Sequence, residues 1–267
     1  MFNEIKKHLR IYGHFIKYSI MEQLEYKANF FLGIAVECTW LCVKMLYVFI
    51  TQTTGALVGG HTPDEIMLYV GTFMILTALH MGLFSWNFYF FSWGVNRGDL
   101  DLLMVKPVSL MFISTTRFVN ISVPIPNIIG GSILIAVAWN RIGLEAGAVN
   151  ILLFIYLILC GLFVSFSIFF VPHLSAFWTL KTYGITEMAS SMWDFNNMPM
   201  QIYNRWLQRA GVFLLPVFVI TNFPVMALFN NMSIVYLIWG LAIPILAFTG
   251  IRMLWRVALK RYSSAGG

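Results

Sequence analysis

The sequence predicts an all-α polytopic membrane protein with six transmembrane helices. Three features predict it: the composition, the length of the apolar runs, and the placement of lysine and arginine between them. Of 267 residues, 59% are hydrophobic and 10% are charged. A soluble domain carries about 25% charged residues. So little charge cannot coat a water-facing surface of this size, and the apolar excess is expected to face lipid. All of 1–267 reads as one membrane domain with no second soluble unit.

Apolar runs cover about 29–50, 66–93, 113–139, 149–171, 212–229 and 234–254. A helix rises 1.5 Å per residue, so about 20 residues cross the hydrocarbon core. Each run is expected to be helical, because a span in lipid must satisfy its own backbone. The third contains Pro124, Pro126, Gly130 and Gly131.

Charges alternate between the connections. Residues 1–28 hold Lys6, Lys7, Arg10, Lys17 and Lys27; the next such connection holds Arg97, Lys106 and Arg117. The third holds Lys181, Arg205 and Arg209, and the tail Arg252, Arg256, Lys260 and Arg261. The intervening connections hold only Arg141, and Lys44 lies inside a run, so the count is fifteen against one. The positive-inside rule then puts both termini in the cytoplasm of a cell, expected to be bacterial, with the chain in its inner or plasma membrane. A net charge of +6 placed at span borders does not point to nucleic acid. Lys6, Lys7, Arg10, Lys17 and Lys27 interrupt any secretory h-region near the start.

Within 1–28, Phe2, Ile5, Leu9, Tyr12, Ile16 and Ile20 recur at spacings of three and four. That is one apolar stripe on a helix too charged to span, and it predicts a helix lying in the membrane interface. The stretch 182–209 mixes Met188, Met192, Trp193, Met198 and Trp206 with Glu187, Asp194 and two arginines. Amphipathic helices at the inner interface are expected there, since Trp and Tyr favour that depth.

Chemistry-bearing motifs are few. The sequence has no GxxxxGK[ST] phosphate loop, no GxSxG, no HExxH and no CxxC. Cys38, Cys42 and Cys160 lie in apolar runs and read as buried thiols. The five histidines are scattered, with no metal-ligand spacing. No catalytic residue, metal site or cofactor of the chain's own is expected. Glu37 and Lys44 lie deep in the first span, seven apart on one face. A charge at the bilayer centre costs about 2.5 kcal/mol or more. Each is expected to face protein or a water-filled cavity, either lining a substrate path or gate or forming a structural interhelical pair; about 10 Å along the axis separates them.

The connection between the second and third spans reads Gly94-Val95-Asn96-Arg97-Gly98-Asp99-Leu100-Asp101-Leu102-Leu103-Met104-Val105-Lys106-Pro107-Val108. Asp99 can cap a short helix and Pro107 can stop it. Leu100, Leu103 and Met104 are expected to be available to a partner. The run from Gly98 to Val108 resembles the signature of permease subunits of type-2 ABC exporters. A second stretch, Pro-Met-Gln-Ile-Tyr-Asn-Arg-Trp-Leu over 199–207 and Leu-Pro-Val-Phe-Val-Ile-Thr-Asn-Phe-Pro-Val-Met-Ala-Leu over 215–228, is similar to another pattern of that family, in its uncharacterised-permease branch. Val225 and Asn204 depart from it.

The resemblance implies pairing with a second permease, identical or homologous, and docking on a dimer of cytosolic ABC ATPase subunits. ATP and Mg would be bound by those subunits. The 97–107 segment would be the coupling helix, with Leu100, Leu103 and Met104 as anchors and Arg97, Asp99, Asp101, Lys106 and Pro107 around them. The implied activity is export of a hydrophobic or amphipathic compound. Two other readings are an intramembrane lipid-modifying enzyme and a non-transporting membrane scaffold. The enzyme would need carboxylates or histidines clustered at one membrane face, and the sequence does not display them.

Overall fold

The computed structural model describes residues 2–179 and 181–262. Among them are twelve α-helices and no β-strand. Helix α1 covers Phe2–Glu25 and α2 Lys27–Thr54. Helix α3, Pro63–His80, continues through a π-helical turn at Met81–Ser85 into α4, Trp86–Arg97. Two short helices follow, α5 at Leu100–Met104 and α6 at Leu110–Thr116. Helix α7 is Pro124–Ile142, and α8, Ala148–Phe170, runs on as a 3-10 stretch to Phe177. Then come α9 (Tyr183–Ser191), 3-10 turns at Met192–Asn197 and Met200–Ile202, α10 (Arg205–Arg209), α11 (Val217–Leu228) and α12 (Ile234–Leu259).

Five helical stretches are long and apolar enough to cross a bilayer: Lys27–Thr54, Pro63–Arg97, Pro124–Ile142, Ala148–Phe177 and Ile234–Leu259. The second is the centre of the bundle. In its most apolar window 78% of residues are buried, against 6% for α2. Its start is set locally. Thr62 and Glu65 form a reciprocal capping box, Pro63 occupies the first turn, and Asp64 and Glu65 complement the positive helix end. At the same end Arg141 lies 3.6 Å from Asp64 and donates to Gln52, which ties α7 to α2 and α3. This gives Arg141 both an acid and an amide as partners.

Helices α3 and α7 cross at backbone contact. A Cβ on Gly131 would stand 2.8 Å from the Gly71 carbonyl oxygen, and one on Gly71 would stand 2.9 Å from that of Gly131. Close approach through small residues is how helices associate where lipid offers no hydrophobic driving force. Gly131→Val is therefore expected to force the two backbones apart at a cost of about 3 kcal/mol. A lowered thermal unfolding midpoint in detergent, with loss of the monodisperse species, checks it.

The third apolar run was expected as one helix over 113–139. It is two helices with an irregular stretch, 117–123, between them. Pro124 and Pro126 sit at the start of α7 rather than inside a longer helix, where a proline costs no intrahelical bond. Irregular backbone at this depth survives because protein satisfies it. Asn87 accepts from the Phe118 N–H and donates to the Phe118 carbonyl, at 2.8 and 2.7 Å. Gln23 donates to the Val119 carbonyl and accepts from the Ile121 N–H, and Ser19 accepts from the Val119 N–H. The Asn120 N–H donates to the Gly82 carbonyl within the π-helical turn. Helix α1 is thus pinned by Ser19 and Gln23, while Ile5 and Leu9 of its apolar stripe stay exposed.

The largest departure concerns 182–209, expected at the interface and instead partly inside the bundle. Phe177 packs on Trp255 and Tyr262 near the end of α12. Ile202 packs against Gly59 in the connection between α2 and α3, at the opposite end. Between them Trp193 is buried, stacks on His80 at 4.5 Å and donates to Thr77 at 3.2 Å. The chain therefore passes from one end of the bundle to the other between Phe177 and Ile202. The fifth apolar run, expected as a span over 212–229, is not one straight helix. Arg205–Leu214 and Val217–Leu228 meet at 99°, and α11 alone is about 18 Å long, short of a bilayer core. Ile202, before the pair, packs against Gly59, and Phe229, after it, packs on the cluster of Val48, Ile66 and Leu228 that Val58 also packs on. We read the pair as a re-entrant hairpin, because it is bent by 99° and its second arm is too short to span alone. All twelve residues of α11 are buried, as expected of a helix apolar on every face.

On this reading the five long apolar stretches and the 177–202 segment make six passages, and α1, α5 and the end of α12 share one end of the bundle. A re-entrant pair changes the charge count: it places Arg205 and Arg209 on the other side, thirteen against three. In a cysteine-free background, single cysteines at Thr54, Arg205 and Ser233 are expected to label from one side of the membrane and Ser109→Cys from the other. Labelling of Arg205→Cys together with Ser109→Cys would refute the re-entrant hairpin.

Candidate functional site

The segment after α4 turns on Gly98, whose φ of +79° lies in the left-handed region that glycine enters freely. Its N–H bonds back to the Val95 carbonyl, and the Asp99 N–H bonds to that of Gly94. Asp99 stands at the cap position of α5 but makes no side-chain capping bond. Arg97 lies 5.8 Å from the Trp93 ring. Tyr262, at the end of α12, lies against Asp101; burial and then the Asp101 carboxylate push its phenol above the usual range.

The two faces of α5 differ. Leu100 is 1% exposed, in the chain's own core with Phe91, Val95, Phe177 and Trp255. It is not available to a partner, contrary to the sequence expectation, and Leu103 is half-buried. On the other face Leu102 is 69% and Val105 78% exposed, three residues apart, with Met104, Lys106 and Pro107 also exposed. Five residues of helical spacing define two faces without saying which one the bundle takes; here it takes the Leu100 face.

In the membrane interior, Glu37 and Lys44 do not touch, as their spacing requires. They are joined by a residue that sequence reasoning missed, Asn127 on α7. The Lys44 ammonium donates to Asn127 Oδ1 at 2.9 Å, and Asn127 Nδ2 donates to Glu37 Oε2 at 2.7 Å. A carboxamide has both an acceptor for the ammonium and a donor for the carboxylate. Asn127 is 1% exposed, and Lys44 also lies 5.5 Å from the Phe73 ring. The available signal was an amide in an apolar run one turn beyond Pro124.

Deeper still, two buried histidines each meet a serine. His80 Nδ1 is 3.0 Å from Ser165 Oγ, and His173 Nδ1 is 2.9 Å from Ser92 Oγ. They share a cavity of about 160 Å³ with Thr186, Ser190 and Trp193. A second cavity, about 750 Å³, lies between α1, α2, α4 and 117–123.

Long apolar helices, joined inside by the Glu37–Asn127–Lys44 bridge and flanked by cavities, define a multi-pass membrane protein. A family model described as ABC-2 family transporter protein matches residues 38–266, and the chain belongs to that family. No curated protein and no solved structure matches it.

Proposed function

We propose that this chain is the membrane-embedded half of an ATP-driven exporter of a hydrophobic or amphipathic compound. The observation that carries this reading is the match to the ABC-2 transporter family over most of the chain. The exposed Leu102–Val105 face of α5, on the end with most of the basic residues, supports it. On this reading that end is cytoplasmic. A cytosolic ABC ATPase binds ATP and Mg, and its groove receives Leu102, Met104 and Val105, with Arg97, Asp99, Asp101, Lys106 and Pro107 at the rim. Apolar centre and polar rim are the usual anatomy of such an interface. A second permease, identical or homologous, completes the transporter.

Affinity purification of the chain from its native membrane tests the proposal. A co-purifying ATPase whose hydrolysis is stimulated by apolar or amphipathic compounds is the expected result. A chain that purifies without any ATPase, under conditions that keep the membrane complex intact, would overturn it.

A further inference from the structure

The 750 Å³ cavity has an unusual lining for a chain of net charge +6. Its charged residues are Glu22 and Glu37, and none of the seventeen lysines and arginines lines it. Arg117 and Lys44 act on these acids from outside the cavity, Arg117 from beside the Phe118 ring at 4.4 Å and Lys44 through Asn127. The walls are aromatic: Tyr26, Phe30, Trp86, Tyr89 and Phe90. The volume is that of a pocket for a drug-sized molecule. Aromatic faces attract ammonium groups, and two carboxylates with no cation among the lining residues favour cations and disfavour anions.

The cavity is also backed by the π-helical turn. Met81, Ser85 and Tyr89 line both it and the smaller chamber of His80 and His173. Ser85 Oγ donates to Met81 Sδ at 3.1 Å within this shared wall. Single π-helical turns mark functional positions more often than ordinary helix does. The 160 Å³ chamber is too small for a long chain and large enough for a small polar head.

We propose that the larger cavity binds a cationic amphiphile. Glu22 and Glu37 draw its ammonium head, its chain lies along Trp86, Tyr89 and Phe90, and the Met81–Ser85 turn is the partition between this pocket and the histidine chamber. The proposal rests on the exporter reading and names its substrate class.

The test uses the full chain in phosphatidylcholine nanodiscs, so that a zwitterionic head competes in every arm. The probe is dodecyltrimethylammonium with a diazirine on its chain. Photolabelling is expected on the peptides carrying Tyr26 and Phe30 or Trp86 to Phe90. Unlabelled dodecyltrimethylammonium is expected to compete at least tenfold better than dodecyl maltoside or dodecyl sulfate. Glu22→Gln with Glu37→Gln is expected to weaken labelling at least tenfold; a glutamine at 37 can still accept from Asn127. Should that pair fail to fold, Glu22→Lys, at an exposed position of the cavity's α1 wall, reverses the charge there without burying a new group, with the same expected loss. Labelling confined to other helices, equal competition by the uncharged amphiphile, or labelling indifferent to the charge at 22 would each overturn the pocket. Co-purification of the ATPase is scored in parallel. If it persists while the pocket fails, only the substrate class falls; if it is absent, the exporter reading falls.

Discussion

Leu102→Asp combined with Val105→Asp is expected to leave the permease folded and inserted while releasing its ATPase. Neither side chain is part of the core, so thermal stability should change little. Burying one such side chain in a partner is worth about 1.5–3 kcal/mol. Losing two, at 1.4 kcal/mol per tenfold, weakens docking by about two orders of magnitude or more. Leu100→Ala should behave in the opposite way. It removes a side chain that is 1% exposed in the chain's own core and should cost about 2–5 kcal/mol of stability. Its effect on docking would follow only from unfolding. Pull-down of the ATPase and thermal unfolding of the same preparations separate the two. Docking that survives Leu102→Asp with Val105→Asp would mean α5 is not the coupling element.

What the sequence made legible follows from what lipid demands. α2, α8 and α12 lie close to their apolar runs because much of each is exposed to lipid, and hydropathy measures that exposure. The passage between Phe177 and Ile202 escaped for the converse reason. Trp193, Asn196 and Met200 are buried in protein, so this part of the segment mixes polar and apolar residues instead of forming one long apolar run. Meanwhile α11 reads as a span by composition and is too short to be one. The break at 117–123 was marked by Pro124 and Pro126, but its stability depends on Gln23 and Asn87, 31 or more residues away along the chain. Leu100 and Leu102 illustrate the same limit: a helical repeat orders faces and leaves the choice between them to packing. The carboxylate and ammonium of the first span were conspicuous, whereas their bridge on α7 depended on a helix crossing that no local pattern encodes.

That bridge gives the second prediction. Asn127→Leu removes the acceptor of Lys44 and the donor to Glu37 at one stroke. Each charge then lacks that partner in surroundings where an unsatisfied polar group costs about 1–3 kcal/mol. The single variant should therefore unfold at a clearly lower temperature. The triple variant Glu37→Leu, Lys44→Met and Asn127→Leu should recover most of the loss, because replacing a whole buried polar set by apolar groups of similar volume is often neutral. The recovered protein decides what the bridged charges are for. If it holds helices α2 and α7 together and nothing more, the triple variant transports and couples ATP hydrolysis like wild type. If the pair lines the path, stability returns and transport does not, and Glu37→Gln alone, which keeps an acceptor for Asn127, already lowers transport. We expect the second pattern, because Glu37 lines the 750 Å³ cavity as well as accepting from Asn127. Transport at wild-type rates by a stable triple variant would assign the pair to architecture.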